Sequence, residues 1–562
     1  MTNKMPSPSI VIGIDFGTTF SGIAWTLGGS IDDIEVLSQW PGGGNRTSVK
    51  VPSHISYKDG KVQWGYQIGQ FSEGLRGIKL LLDENQKIVY TPSIESKALL
   101  VLYGKDAVEA TADYLKQLIG QAKQVLERRL GIDMDELDSQ YILTVPAVWS
   151  DRAKDATLRA AVDAGVDMKH VSLVSEPEAA ALYTLRAIQP NTVATNDVFT
   201  VCDAGGGTVD LVSYRIKTLE PLVLVEVAEG TGAVCGSLLL DGRFEELLRR
   251  KMGPEAYDAL SPKSKEAAVT YWQERVKPNF TGQFDDEFGE VEYFIPVAGA
   301  ADNPSIPIED GFFMLSREDV EDIFEPIISK IEELTAQQIS AVLERGFRVQ
   351  TILLVGGFGA SEYLYYRLKK ENPGATIMQP PNGWSAVVSG AVHRGLEGNK
   401  VESRIARRHY GINHSTHFRP GRHSDDDPYK EWDPLEEVYK VNRRMKWYIK
   451  KSSTMAEQQP IKMHFYRNVE VGNPDLLVFD DVLSFCNEEA APDVRNRRVM
   501  ELCRLEADLR KIPQELFPRK KNSRGVEYFV VNYVLSMTPT SASLLFELEF
   551  NGVSYGSVRT RY

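Results

Sequence analysis

Long apolar runs and a surplus of positive charge are both missing from this 562-residue sequence. No apolar run reaches the roughly 18–20 residues that a membrane-spanning helix needs. The 64 lysines and arginines are outnumbered by 78 aspartates and glutamates, which leaves a net charge of −14. General electrostatic attraction to nucleic acid or to an anionic membrane surface is therefore disfavoured. We expect neither nucleic acid nor a membrane among the partners.

Cysteine is also scarce, and the spacing of the four cysteines matches neither a zinc site nor a disulfide framework. Residues 1–9 lack the apolar stretch of a signal peptide, and their composition predicts a short disordered lead. Both features favour a reducing compartment, so we expect a cytoplasmic protein. The cysteines, which we interpret as buried thiols, are Cys202, Cys235, Cys486 and Cys503.

A chain of this length exceeds what one hydrophobic core supports, so several domains are expected. Strand and helix patterns alternate to near residue 400 and predict an independently folded α/β domain over residues 10–400. Beyond it, apolar and polar residues alternate at period two, which indicates a β-rich domain over residues 401–562, a sandwich or a barrel. Within that domain, Asn551-Gly552 is typical of a type I′ hairpin turn.

Two segments of the α/β part look like copies of one motif. Each is a buried-strand pattern that ends in Asp and turns through glycine into threonine. A turn without Cβ atoms lets backbone N–H groups approach a phosphate, and the Asp can orient water on Mg²⁺. Two such hairpins predict a clamp for one nucleotide. The segments read Val11-Ile-Gly-Ile-Asp15-Phe-Gly17-Thr18-Thr19 and Phe199-Thr-Val-Cys-Asp203-Ala-Gly205-Gly206-Gly207-Thr208-Val-Asp210.

Three further segments place polar or glycine residues at the ends of predicted strands. They are 141–146, which leads through the predicted N-cap Ser150 into a helix; 171–175, which precedes Glu176-Pro177; and 351–355, which ends in Gly356-Gly357. Between the second and the third of these segments, the sequence predicts a long amphipathic helix that starts at Ser316.

Together these five segments resemble the ATPase domain of the 70-kDa heat-shock protein family, within the actin-like ATPase superfamily. The resemblance covers residues 10–395, about 70% of the chain. It implies a two-lobed actin-like (RNase H-like) ATPase domain followed by a smaller β-rich domain. It also implies ATP or ADP with Mg²⁺ as cofactors and a slow Mg²⁺-dependent hydrolysis of ATP.

The resemblance assigns roles to individual residues. Catalytic roles fall on Lys79, Glu176, Asp203 and Asp210, and Asp15 and Asp203 would hold Mg²⁺ through water. Contacts to the nucleotide fall on Asp15, Gly17, Thr18, Thr19, Gly205, Gly206, Gly207, Thr208, Glu274, Lys277, Gly356 and Gly357. Plainer interpretations stay open for several of them. Asp210 can simply brace its hairpin, Lys79 can be a solvated surface lysine, and Glu176 can simply interact with the helix dipole. Asp15 and Asp203 can each be an ordinary turn-capping aspartate.

The sequence departs from the family in several places. Pro278 stands where an arginine normally stacks on adenine, and Phe358 replaces a polar residue of the adenosine loop, so we expect altered base contacts. Phe358 can equally be a core residue. The C-terminal part looks like that of divergent, fungal-type heat-shock-70-like proteins, with no obvious helical lid. A basic stretch over 404–408 replaces the acidic, leucine-rich linker, and we interpret it, like 519–521, as a solvated face.

Three functions follow as alternatives. The first is a chaperone-like ATPase whose nucleotide state modulates a peptide-binding β domain, with weak coupling of under about tenfold through the basic stretch. Its partners would be unfolded or partly folded polypeptide and co-chaperones, and we expect a monomer. The second is a sugar or polyol kinase of the same fold. The third is a non-catalytic nucleotide-binding adaptor.

Overall fold

The computed structural model describes residues 9–44, 47–69, 72–84, 90–188, 193–282, 292–302, 306–472 and 474–561. The chain divides into two compact units, Met1–Lys400 and Val401–Tyr562. Of the predicted disordered lead, residues 1–8 lie outside the described part, and Ser9 is already the first residue of a strand.

The first main sheet of the unit 1–400 forms around an apolar central strand. Its strands are β1 (Ser9–Asp15), β2 (Phe20–Leu27), β3 (Glu35–Val36), β4 (Val51–Pro52), β7 (Asp138–Val145) and β8 (Val171–Ser175). Two further strands, β5 (Ile55–Ser56) and β6 (Gln63–Trp64), pair only with each other in this topology. The order is β3-β2-β1-β7-β8, with β4 added to β2. Because β1, β7 and β8 are parallel, Asp15, Thr144 and Ser175 lie at the same end of the sheet.

Four helices follow in this part of the chain: α1 (Thr91–Tyr103), α2 (Ala107–Leu130), α3 (Asp151–Asp163) and α4 (Glu176–Ala187). The predicted N-cap of α3 is confirmed, since the Ala153 N–H donates to the Ser150 hydroxyl over 3.2 Å. Helix α4 begins directly after β8, with Pro177 at its second position, where the missing N–H costs no helical hydrogen bond. The junction therefore carries Glu176 at the carboxyl end of the sheet.

The second main sheet contains the second glycine-rich motif. The strands of this part are β9 (Val198–Ala204), β10 (Val209–Leu219), β11 (Leu222–Ala233), β12 (Tyr293–Pro296), β13 (Ile308–Glu309), β14 (Phe312–Leu315), β15 (Thr351–Val355) and β16 (Thr376–Met378). Within the unit 1–400 the sheet has the order β16-β15-β9-β10-β11, and β12, β14 and β13 form a small sheet of their own. Strand β9 pairs antiparallel with β10 and parallel with β15.

The helices that accompany this sheet are α5 (Leu238–Met252), α6 (Pro254–Ala259), α7 (Pro262–Tyr271), α8 (Arg317–Glu344) and α9 (Glu362–Glu371), and α10 (Ala386–Glu397) follows. Helix α8 follows Ser316 as predicted, and a capping box between Ser316 and Asp319 closes its start. Trp272, Phe244 and Phe324 fill the core beside it. Phe358 belongs to the same core, 6.3 Å from Phe324 between ring centroids, so its core interpretation is the correct one.

Helix α10 lies against both the first sheet and α4 at glycine positions. A Cβ atom on Gly390 would lie 1.7 Å from the Ala179 carbonyl oxygen of α4, and one on Gly13 would lie 2.6 Å from the Val388 carbonyl oxygen. Such backbone contact requires glycine. Because α4 starts at Glu176, this packing fixes the start of α4 relative to β1.

The unit 401–562 is built from strands, with no α-helix among its described residues. The strands are β17 (Val401–Ile405), β18 (His409–His417), β19 (Lys430–Asp433), β20 (Val438–Ile449), β21 (Thr454–Ala456), β22 (Ile461–Glu470), β23 (Val478–Cys486), β24 (Met500–Asp508), β25 (Arg519–Lys521), β26 (Glu527–Pro539), β27 (Leu544–Phe550), β28 (Val553–Ser557) and β29 (Arg559–Arg561). One sheet runs β19-β20-β18-β23-β24-β29, and another runs β22-β26-β27-β28 with β25 on β26. Leu483 and Leu505 of the first and Val531 and Leu548 of the second share one core.

The predicted hairpin at Asn551-Gly552 is confirmed. The two residues have φ values of 48° and 79°, and they join β27 to β28. Both central residues of a type I′ turn need positive φ, which Asn and Gly tolerate best.

The interpretation of the basic stretches needs correction. Residues 401–405 form β17, which pairs antiparallel with β21, and Arg404 is buried in an ion pair with Glu457. A solvated connector over 404–408 is therefore wrong, and the argument for weak coupling loses its premise. Residues 519–521 are exposed as expected, and they form an edge strand on β26.

Candidate functional site

The turn between β1 and β2 carries the first phosphate motif. Gly17 lies so close to the strand that follows that a Cβ atom on it would be 2.1 Å from the Phe20 carbonyl oxygen. Ser53 braces the turn, because its hydroxyl donates to the Gly17 carbonyl over 2.7 Å and its N–H donates to the Thr19 carbonyl over 2.8 Å. The turn is thus held in a fixed shape by residues outside the motif.

The turn between β9 and β10 carries the second motif. The Gly205 N–H donates to the Thr208 carbonyl over 2.9 Å, which closes the turn. The start of α5 is bonded to the same loop, since the Leu238 N–H donates to the Gly206 carbonyl over 2.9 Å. A Cβ atom on Gly236, just before α5, would lie 2.3 Å from the Gly206 oxygen. Glycine is therefore required at position 236.

The two turns meet each other directly. A Cβ atom on Gly206 would lie 2.4 Å from the Thr19 hydroxyl oxygen, and one on Gly207 would lie 2.5 Å from the Thr18 hydroxyl oxygen. Backbone N–H groups and threonine hydroxyls from two different hairpins are thus concentrated at one place. Such donors are the groups that bind phosphate oxygens.

Asp15, at the end of β1, is buried and has two donors. Lys50 Nζ lies 2.6 Å from its Oδ2, and the Thr144 hydroxyl on β7 donates to its Oδ1 over 3.1 Å. Burial acts to raise the pKa of Asp15, but the charges of Lys50 and Lys79 and both hydrogen bonds hold that pKa below its usual range. Asp15 is therefore ionised throughout the physiological pH range.

Glu176, at the start of α4, forms a buried ion pair with Lys79. Lys79 is 4% exposed, so its interpretation as a solvated surface lysine is wrong. Its Nζ also lies 5.5 Å from the ring centroid of Trp149. Burial raises the pKa of Glu176 to about 7; Lys79 opposes the rise, and the charges of Asp15 and Asp210 add to it. Glu176 consequently changes protonation near neutral pH.

Asp203 and Asp210 complete the cluster of carboxylates. Burial, followed by the charges of Glu176, Asp210 and Asp15, raises the pKa of Asp203 well above its usual value, while Lys50 opposes the rise. In the described part of the chain, no group donates a hydrogen bond to the Asp203 carboxylate. Asp210 differs, because the Val148 N–H donates to its Oδ1 over 3.1 Å. Asp210 therefore does brace the structure, but this hydrogen bond joins it to Val148, outside its own hairpin.

The residues of the adenosine motif divide into two groups. Gly356, with φ of +85°, adjoins the site, since a Cβ atom on it would lie 2.5 Å from the Asp203 Oδ1. Gly357 follows it and borders Trp384, which is 38% exposed. Lys277 instead pairs with Asp241 of α5 over 2.7 Å, and Glu274 is exposed on the π-helical turn Trp272–Val276. Lys277 thus contacts α5, whose first residue, Leu238, is bonded to the second turn.

Several groups at the site were missed in the sequence. Lys50 and Thr144 bind Asp15, Ser53 braces the first turn, and the Val148 N–H binds Asp210. The signal for Thr144 was a single polar residue inside an apolar strand. For Lys50 it was a lysine placed between two valines just before β4. Neither signal names the partner, because Lys50 and Asp15 are 35 positions apart.

The donors and charges of the site fit nucleotide phosphates and Mg²⁺. The cluster brings four carboxylates together, two of them paired with Lys50 and Lys79, and a divalent cation would favour the ionised form of the others. The described residues contain no group of three or more His, Cys, Asp or Glu side chains that could hold a metal ion directly. A cation here would therefore be held chiefly through phosphate oxygens and water, as the resemblance implies.

Comparisons with known proteins agree with the resemblance. No family model matches the chain. Heat shock 70 kDa protein 12A of Mus musculus is 24% identical over 502 residues, which cover 74% of this chain and 73% of the relative. The human protein of that name is 24% identical over 507 residues, with 74% and 73% covered. Human heat shock 70 kDa protein 12B is 25% identical over 509 residues, with 75% and 73% covered.

The described helices include none that is both long and apolar enough to cross a membrane. The similarities extend over about three quarters of the chain, whose fold is mixed α/β. They confirm that this chain is a divergent relative of the heat-shock-70 proteins.

Proposed function

We propose that this protein binds ATP or ADP with Mg²⁺ at its two glycine-threonine turns and hydrolyses ATP slowly. The observation that carries the proposal is the contact of Gly206 with Thr19 and of Gly207 with Thr18. Two phosphate-binding turns from separate hairpins serve little purpose in direct contact unless one ligand engages both. The buried lysines and carboxylates around them support the same assignment.

The chain's own residues would divide the chemistry as follows. The N–H groups and hydroxyls of the turns bind the β- and γ-phosphates, and Lys79 adds a positive charge. Glu176, with its pKa of about 7, is partly deprotonated at neutral pH and can accept a proton from the attacking water. Bound Mg²⁺ neutralises charge on the transferred phosphoryl group. Asp15 and Asp203 orient the water around the cation.

We further propose a chaperone-like role, in which nucleotide state modulates binding of unfolded or partly folded polypeptide by the unit 401–562. The printed names of the relatives, all heat shock 70 kDa proteins, support this assignment. Co-chaperones, a monomeric state and a cytoplasmic location remain predictions from the sequence. The same names favour the ATPase over the sugar or polyol kinase.

One experiment separates the three candidate functions. Single-turnover hydrolysis of Mg-ATP by the full chain is measured alone, with an unfolded polypeptide, and with a set of sugars and polyols. The chaperone-like ATPase predicts slow intrinsic hydrolysis that the polypeptide accelerates and the sugars leave unchanged. Phosphorylation of a sugar would favour the kinase, and tight ATP binding without hydrolysis would favour the adaptor.

A further inference from the structure

Lys50 is a built-in part of the site rather than a surface lysine that happens to reach it. Its side chain is 8% exposed. The Lys50 carbonyl accepts hydrogen bonds from the Tyr66 hydroxyl over 3.0 Å and from the Ser48 hydroxyl over 2.7 Å. Its alkyl stem passes Gly22 of β2, where a Cβ atom would lie 3.3 Å from Lys50 Cγ. The backbone and the stem are thus both held, and the ammonium group is aimed at Asp15.

The pairing makes the two motif aspartates unequal. Asp15 has Lys50 at 2.6 Å, and Glu176 has Lys79, so each of these carboxylates already has a cation. Asp203 has no ion pair among the described residues, although the charge of Lys50 also acts on it. The first motif therefore carries its own cation at Asp15, whereas Asp203 of the second motif depends on positive charge that is farther away.

We propose that Lys50 is a resident cation that neutralises Asp15, so that the site retains nucleotide when Mg²⁺ is removed and relies on the metal mainly at Asp203. This positioning role rests on the proposed function, since it concerns the same phosphate site. In the absence of Mg²⁺, phosphates that enter a site with four carboxylates need every positive charge available. Loss of Lys50 removes one of these charges, at a distance where the Coulomb energy is large.

The test compares the dissociation constant of a fluorescent ADP analogue in excess Mg²⁺ and in EDTA. The dissociation constant in EDTA divided by that in Mg²⁺ measures how strongly binding depends on the metal. This ratio does not require turnover. We expect Lys50→Met to raise this ratio by about tenfold or more, chiefly by weakening binding in EDTA. Lys50→Arg keeps the charge and should stay near the wild-type ratio. Lys61→Met, at an exposed lysine, is the matched control and should change nothing.

A double variant guards against misfolding of Lys50→Met, which leaves Asp15 buried without its partner. Asp15→Asn with Lys50→Met removes both charges at once, and its ratio should fall back toward the wild-type ratio even though overall affinity drops. An unchanged ratio in Lys50→Met would overturn the role of Lys50 and leave nucleotide binding intact. Failure of the wild-type chain to bind the analogue under either condition would overturn the proposed function as well.

Discussion

Gly207 faces Thr18 across the site so closely that a Cβ atom at residue 207 would lie 2.5 Å from the threonine hydroxyl oxygen. The two residues belong to different hairpins in different sheets of the unit 1–400. Their contact converts two separate sequence motifs into one set of phosphate donors.

Replacement of Gly207 by alanine should weaken ATP and ADP binding by about tenfold or more, because the new methyl group displaces Thr18 and its hydroxyl. The measurement is a calorimetric titration of each variant with nucleotide and Mg²⁺. Gly242→Ala is the matched control, since a Cβ atom there meets nothing within 4 Å. That helical substitution should leave affinity unchanged and stabilise the fold by up to about 1 kcal/mol. Equal nucleotide affinities in the two variants would contradict the role of the turn.

Asp203→Asn should retain the fold and lose most ATP hydrolysis, by about 10²–10³-fold, since it removes a charge beside the proposed cation. Because burial among other carboxylates raises the pKa of Asp203, its ionised form destabilises the unliganded fold at neutral pH. The variant should therefore also unfold at a higher temperature. Single-turnover assays and thermal melts check both expectations, with exposed Asp163→Asn as the control. Full hydrolysis by a folded variant would remove Asp203 from the reaction.

His393 of α10 should make the fold sensitive to acid. Burial, with a smaller effect of Arg186, lowers the pKa of His393 to about 4, below the value of about 6.5 in an unfolded chain. Between these values the unfolded chain binds more protons, so stability falls as the pH falls from 7 to 5, by about 1–2 kcal/mol from this group. His393→Gln should lose that share of the pH dependence.

Denaturant unfolding of the wild-type chain and of His393→Gln at pH 7, 6 and 5 measures this share. The free energy of unfolding should fall more steeply with falling pH in the wild type than in His393→Gln. The difference between the two proteins should therefore narrow from pH 7 to pH 5. Exposed His170→Gln serves as the control and should run parallel to the wild type. A constant gap between the wild type and His393→Gln would show that His393 does not titrate as expected.

The buried pair of Arg404 and Glu457 should be important for stability in the unit 401–562. Glu457 has no exposed side-chain surface, so Arg404→Met leaves a buried carboxylate without its arginine. We expect a loss of about 3–5 kcal/mol, and a double change to methionine at both positions should recover a large part of it. Exposed Arg497→Met should stay within about 0.5 kcal/mol of the wild type in the same denaturant titration. Similar costs for the two arginines would refute the assignment.

Local patterns were sufficient to predict much of the fold. The apolar run of β1, the N-cap Ser150, the capping box at Ser316 and the turn at Asn551-Gly552 act through neighbouring residues, so their signals are contained in a few positions. The same holds for Gly205–Thr208, where the turn itself carries the chemistry.

Charged residues whose partners are distant in the chain could not be predicted in this way. Arg404 reads as a solvated residue until Glu457, 53 positions later, is brought beside it. Lys50 likewise gains its role only when β4 pairs with β2 and carries it to Asp15. The residue type gives the sign of a charge, whereas the burial and the partner of that charge depend on the tertiary fold.

The most direct test of the account is calorimetric titration of the full chain with ATP, ADP, AMP and adenosine in the presence of Mg²⁺. If the two turns bind the β- and γ-phosphates, ATP and ADP should bind at one site per chain, about a hundredfold or more tighter than AMP and adenosine. Equal affinities for ATP and AMP, or no binding of ATP at all, would contradict the assignment of the turns as a phosphate site.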